Sequence, residues 1–413
     1  MVQEIIILFA FLIVLSYVLN VFSHKIRVPS VIFLLAIGML LRFLAIRFKI
    51  NLPDLTPYLL FMGGISLILV VLQGSMELRW SPQKNKMIFR MLLLCILPMF
   101  FFGFGGAWLL SLSSAAPYKQ ILYNIIPFAI ISSAIAIPAV HMLNARAREQ
   151  IVYESSFSDI IGILFFDFVF QNKGNLLEET GIFFLQLGGT FILTILATVF
   201  IAWLLGFLPA GVRFIPIIAN LVLVFELSEF FKLPGLIFIF VFGLFLGNLN
   251  RFTDMRLLKK IHPDRIKANF EEFYNIVSEA NFLVRSFFFL LLGFFVNPLH
   301  LLSPKSVLWA MGILAFIYAI RIIFLKLLHV SLLPNLFYAP RGLVSILLFL
   351  YIPTSQLLPF VTLNLIIQVV LLSTILMAIG GFVHTKQEKK SLLNDNPGGL
   401  TGLNKNRSLK SPS

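Results

Sequence analysis

Tyr153-Glu154-Ser155-Ser156-Phe157-Ser158-Asp159-Ile160-Ile161-Gly162 sets two carboxylates and three hydroxyls within six residues of an apolar run that extends from about 150 to 171. An ionisable side chain held at the centre of a bilayer costs at least about 2.5–3.5 kcal/mol on insertion scales, so acids in such a run mark a functional site by default. At about 100° per helical residue, Glu154 and Ser158 share a face and Asp159 points about 140° away from Glu154. The two acids therefore face different neighbours.

The rest of the chain makes that run a membrane segment. Of 413 residues, 59% are hydrophobic and 12% charged, and mean hydropathy is +0.97. Ordinary soluble domains are about 45–50% apolar and about 25% charged, so the chain reads as an all-α polytopic membrane protein. Cys95 stands alone, which excludes an internal disulfide and a thiolate metal cluster. The net charge of +14 lies in short clusters between apolar runs, where membrane topology rather than nucleic acid accounts for it.

Apolar stretches of about 17–25 residues are long enough to cross the hydrocarbon core as helices. Thirteen are present, near 5–22, 29–48, 58–74, 87–113, 119–143, 150–171, 180–207, 214–231, 233–249, 280–298, 305–327, 332–353 and 359–384. The first opens with Glu4 rather than a basic region and is followed by no small-residue cleavage site, so it is counted as a span rather than a signal peptide. Loops after the odd-numbered spans hold fifteen Lys and Arg, from Lys25 to Lys326, against six in the alternate loops. That bias predicts a plasma (inner) membrane protein with its N-terminus outside and its C-terminus in the cytoplasm.

The expected organisation is a transmembrane domain over 1–385 and a disordered cytoplasmic tail over 386–413. Within the domain, six-span sets at about 5–171 and 214–384 would be inverted repeats joined by a linker helix at 180–207. The segment 250–278 mixes charges with Phe252, Leu258, Phe270 and Phe273 and is expected to lie as an amphipathic element on the cytoplasmic face, broken at Pro263. Spans 5 and 12, second from the end of each set, are interrupted by Pro138 and by Pro334 and Pro340. Paired interruptions of this kind point to a transporter's midplane site. The remaining intramembrane ionisable residues are Asp167, Glu226, Glu229, Arg285, Arg321 and Arg341. Asp167, Glu226 and Glu229 read as interfacial or structural, and Arg42, Arg90 and Lys326 stand near enough to span ends to snorkel.

With these residues in view, the chain resembles the monovalent cation:proton antiporters, which include sodium/proton exchangers. Glu154-Ser155-Ser156-Phe157-Ser158-Asp159 resembles the family's Glu-Ser-x-x-Asn-Asp segment, and Leu72-Gln73-Gly74-Ser75-Met76-Glu77-Leu78 its Phe-x-Gly-Leu-Glu-Leu ending. Leu233 through Asn248 is similar to its small-residue span closing in Gly-Asn, and Pro340-Arg341-Gly342-Leu343-Val344-Ser345 to its Leu-Arg-Gly-Ala-Val. The resemblance covers roughly 1–385. It implies that Asp159 carries the ion and that Glu154 pairs with an arginine of span 11, where Arg321 is the one candidate near mid-span. It also implies that Arg341 lies where the two broken helices cross, with Ile137, Pro138 and Pro340, and that the chain forms a homodimer.

The sequence departs from the family in three segments: Ala136-Ile137-Pro138 replaces Thr-Asp-Pro, Ser158 replaces Asn, and Gln73 replaces an acid. This leaves Asp159, Ser155 and Ser158, with carbonyls freed at the breaks, as ligands for a monovalent metal cation. The leading reading is a secondary antiporter exchanging Na⁺ or K⁺ for H⁺ by alternating access, in contact with membrane lipid. A carboxylate taken out of water needs a proton or a cation as partner, and one shared acid makes the two exclusive. Two alternatives stand beside it: a non-transporting regulatory membrane protein on the same fold, and a multi-pass membrane enzyme. The enzyme would need clustered catalytic groups, yet five of the six histidines lie in loops or at span ends, and no nucleophile elbow, metal-binding histidine pair or phosphate-binding glycine loop is present. No cofactor is expected.

Overall fold

The computed structural model describes residues 2–26, 29–49, 55–140, 143–171, 181, 185–197, 214–230, 235–248, 263–296, 298–301 and 303–395. Among them every regular element is helical. In chain order the helices of seven residues or more are α1 (Val2–Ile26), α2 (Ser30–Arg47), α3 (Thr56–Glu77), α4 (Asn85–Ser111), α5 (Tyr118–Ala129), α6 (Ser133–Ala139) and α7 (Ala145–Gln171). There follow α8 (Leu185–Ala197), then α9 (Phe214–Phe230), α10 (Gly235–Gly247), α11 (Pro263–Phe295), α12 (Pro304–Leu327), α13 (Leu343–Tyr351) and α14 (Leu363–Asp395). Among the described residues, seven segments are long and apolar enough to span a membrane, and three shorter apolar helices join them. Large apolar side chains such as Phe43, Phe61, Phe101, Trp108, Leu196, Leu308 and Met311 face outward, as a lipid-exposed surface requires.

The helices pack in two groups. In one, α2 and α3 lie against α11, and α10 lies against α3. Small residues permit the close approaches: a side chain at Gly38 would collide with the α11 backbone, one at Gly293 with Leu35 of α2, and one at Gly247 with Met76 of α3. Arg42 does not simply reach for a headgroup; it donates to the carbonyls of Phe295 (2.6 Å) and Phe294 (3.3 Å) at the end of α11. In the other group α4 packs on α5, α7 and α12, and α12 on α14. Phe100 and Phe165 stack there at 4.3 Å. The two groups meet through α3, which touches α6, α7 and α13.

Three expectations change. The segment expected to lie on the cytoplasmic face is divided, because from Pro263 onward the chain is one 33-residue helix continuous with span 10. Pro263 opens that helix, a position where its missing N–H has no cost, while 249–262 lies outside the described residues. The tail expected to be disordered from 386 continues α14 to Asp395, and 396–413 lies outside the described residues. Span 12 is helical only from Leu343; Leu333 to Phe337 forms turns.

Candidate functional site

Two interrupted segments cross in the middle of the second group. The chain leaves α5 at Ile130 and re-enters a helix at Ser133, and on the other strand of the crossing Ala339 to Gly342 is non-helical. The amide of Ser132 donates to the carbonyl of Pro340 at 2.8 Å, tying one break to the other. A side chain at Gly342 would strike Ser132 and Ile135, so glycine lets the two backbones approach. Pro340 and Arg341 lie at this crossing. Ile137 and Pro138 do not: they sit beyond it, inside α6. The break falls upstream of the proline because the amides at 131–133 find partners outside their own helix.

Helix α7 supplies two of those partners. Ser158 Oγ accepts from the Ile131 amide at 2.8 Å, and Asp159 Oδ2 accepts from the Ser133 amide at 3.1 Å and from the Ser133 hydroxyl. Asp159 is 1% exposed, and its Oδ1 has no partner. Ser155 turns its hydroxyl back to the Ile151 carbonyl at 2.8 Å, so its proton is committed to its own helix. Ser156 Oγ is buried without a partner. It faces the space over Gly74, where a Cβ would lie 3.1 Å from Ser156 Oγ, 3.7 Å from Ile137 Cδ1 and 3.9 Å from Ser133 Oγ.

Arginines occupy the carbonyls at the breaks. Arg341 donates from Nε to Phe128 O at 2.9 Å and from a terminal nitrogen to Ala129 O at 3.4 Å, capping the last turn of α5. Arg321 makes a two-pronged pair with Glu154, its second prong 2.8 Å long, and donates to Asn335 O at 2.7 Å. Asn335 in turn donates to Gln150 Oε1 at 3.1 Å. Pro138 cannot supply the amide that would bond the Ala134 carbonyl four residues back. That carbonyl accepts from Arg285 of α11.

A cavity of about 340 Å³ runs between the two helix groups, lined by Gln73, Gly74 and Glu77 of α3, Ser133, Ala134 and Ile137 of α6, and Tyr274, Asn281 and Arg285 of α11. Glu77 accepts from Tyr274 at 2.6 Å, and Gln73 accepts from Asn281 at 2.6 Å. A second cavity of about 660 Å³ shares Glu77, Ile137 and Tyr274 with the first and adds Arg79, Lys84, Arg148 and Glu149. Ser133, which lines the first cavity, is the residue bonded to Asp159.

Ser133 and Ser156 complete the site and were not singled out from sequence. The signal for Ser133 was present in the Ser132-Ser133 pair ahead of Pro138, but only the tertiary contact shows which hydroxyl meets Asp159. Of the other acids, Glu226 is exposed, Asp167 is half-buried, and the side chain of Glu229 lies outside the described residues. Among the described residues no group of three His, Cys, Asp or Glu is placed to hold a metal.

The family model described as "Sodium/hydrogen exchanger, transmembrane" matches residues 7–383. Among solved structures, the sodium proton antiporter MjNhaP1 from Methanocaldococcus jannaschii at pH 8 superposes with a TM-score of 0.69 at 19% identity, covering 93% of this chain and 99% of that one. An electron-microscopy structure of the same antiporter gives a TM-score of 0.64 at 18% identity and covers 100% of both chains. A sequence search of curated proteins finds no match.

Proposed function

The chain belongs to the sodium/hydrogen exchanger family, whose members are secondary transporters and not enzymes, and we propose that it exchanges Na⁺ or K⁺ for H⁺ with Asp159 as the shared carrier. The observation that carries this reading is the state of the Asp159 carboxyl: one oxygen is held by Ser133, and the other is buried with no partner, beside the only crossing of broken segments among the described residues. A buried carboxylate oxygen left open in this way is satisfied by a proton or by a cation, and not by both.

The cation would meet Asp159 Oδ1 together with the hydroxyl oxygens of Ser133 and Ser156, with water completing the shell. Ser158 contributes less than its sequence position suggests, since its oxygen already serves the Ile131 amide. One carboxylate and neutral oxygens form a weak set for a strongly hydrated ion, so half-saturation falls on the order of millimolar or above. The two adjoining cavities form the route from the basic loops, which the charge bias assigns to the cytoplasm. Movement of the α4–α7, α12–α14 group against the α2, α3, α10, α11 group would open the opposite route. The second of these groups would also form a homodimer interface.

Competition has a fixed sign. Because proton and cation exclude each other at one carboxylate, the cation concentration for half-maximal exchange falls as pH rises, and each ligand weakens the other by the same factor. The direct test is proton flux in everted vesicles on adding Na⁺, K⁺ or Li⁺. Wild type should release protons and Asp159→Asn should not; exchange by Asp159→Asn at the wild-type rate would remove Asp159 from the mechanism.

A further inference from the structure

Five acidic or basic side chains are buried among the described residues: Glu154, Asp159, Arg285, Arg321 and Arg341. With both acids ionised the set carries one positive charge in excess. Arg321 is matched by Glu154, and Arg341 is spread over the carbonyls that end α5. Arg285 is the unmatched member. Its guanidinium makes one hydrogen bond, to Ala134 O, and among the described residues no carboxylate pairs with it. Glu77, Glu279, Tyr17 and Tyr274 share its cavity without bonding to it.

The position of that one bond is informative. Ala134 O is the carbonyl that Pro138 leaves without an amide inside α6, so it is a backbone oxygen that a cation could take as a ligand. Ser133, bonded to Asp159, is the adjacent residue. A two-residue stretch is therefore held on one side by the carrier acid and on the other by a guanidinium from the opposite helix group.

We propose that Arg285 is a tethered cation: it holds the free Ala134 carbonyl in the place of a transported ion and sets the protein's cation affinity low. The proposal rests on the antiport reading for its biological meaning, but the charge effect on binding does not need turnover. A like charge next to the path repels the incoming ion, and occupation of the carbonyl withholds a ligand. The same bond joins α11 to α6, so loading an ion and releasing one helix group from the other would be a single event.

The test uses the full-length protein in detergent, with equilibrium binding of radioactive sodium and rubidium and cation-dependent melting shifts as two readouts. Arg285→Gln removes the charge, and Arg285→Lys keeps it. The Gln variant should bind about tenfold more tightly than wild type, a change of the size expected for removing one nearby like charge, and the Lys variant should stay within about threefold of wild type. A folded Gln variant that binds no more tightly than wild type overturns the proposal. If Arg285→Gln does not fold, Arg285→Lys decides: tenfold tighter binding by a variant that keeps the charge is equally fatal, and wild-type affinity supports it. Vesicle flux separates the two readings. Wild-type exchange with no tightening in the Gln variant sinks the tethered cation alone, whereas tightening without exchange in wild type sinks antiport alone.

Discussion

Glu154 and Asp159 lie on one helix, five residues apart, and both are 1% exposed. Glu154 is saturated: both oxygens face the Arg321 guanidinium, which is itself anchored on Asn335. Asp159 is half-satisfied, with Ser133 on one oxygen and nothing on the other. The difference separates an acid that holds the structure from one that can change partner. Burial is common to both acids; the open lone pair of Asp159, whose partner Ser133 lines the first cavity, is what suits it to the proposed carrier role.

The strongest way to break this comparison is to neutralise each acid in turn. Asp159→Asn should reduce cation-driven proton flux to that of protein-free vesicles while leaving melting in detergent nearly unchanged, because no opposite charge is stranded. Glu154→Gln should do the reverse, losing about 3–5 kcal/mol of stability by leaving Arg321 buried without its partner. Yield and melting temperature read that loss. Adding Arg321→Met should recover part of it, and a double variant no more stable than the sum of the singles would mean that the pair is not coupled.

The sequence carried much of this and concealed the rest for physical reasons. Spans were legible because hydrocarbon imposes a length on every crossing helix, and the two acids on α7 were set apart by helical geometry alone. The place of the first break was not. Pro138 suggested a break at its own position, yet the chain opens six residues upstream, where amides are bonded by Ser158, Pro340 and Asp159 from elsewhere in the fold. The local rule still held in part: the carbonyl freed by Pro138 is indeed unsatisfied within α6, and its partner comes from α11. Pro263 stops helix from running through it, as expected, and the helix it opens runs on into span 10.

A smaller effect sharpens the carrier half of the comparison. Ser133 donates to Asp159 through both amide and hydroxyl, and on loading the hydroxyl can rotate to offer its oxygen to a cation. Ser133→Ala should therefore raise the half-saturating cation concentration about tenfold, in line with about 1.5 kcal/mol for one hydrogen bond to a charged group, and Ser133→Thr should restore it. Flux titrations at fixed pH measure both. Unchanged affinity in the alanine variant would confine Ser133 to folding.

The smallest expected effect concerns Ile137, which stands where the family commonly has an acid. Its side chain is 8% exposed, yet it lines both cavities and approaches the space over Gly74 shared by Ser133 and Ser156. An aspartate there would reach water in the cavity, so Ile137→Asp should fold. The added carboxylate lies in the wetted path, where effective dielectric is high and one charge contributes modestly. It should tighten cation binding by about threefold to tenfold and extend exchange to lower pH, because a second acid keeps a cation competitive when protons are abundant. The effect depends on α6 lining the ion path. If the folded variant matches wild type in affinity, selectivity and pH dependence, the ion does not pass α6, and Asp159 must be reached from another side of α7.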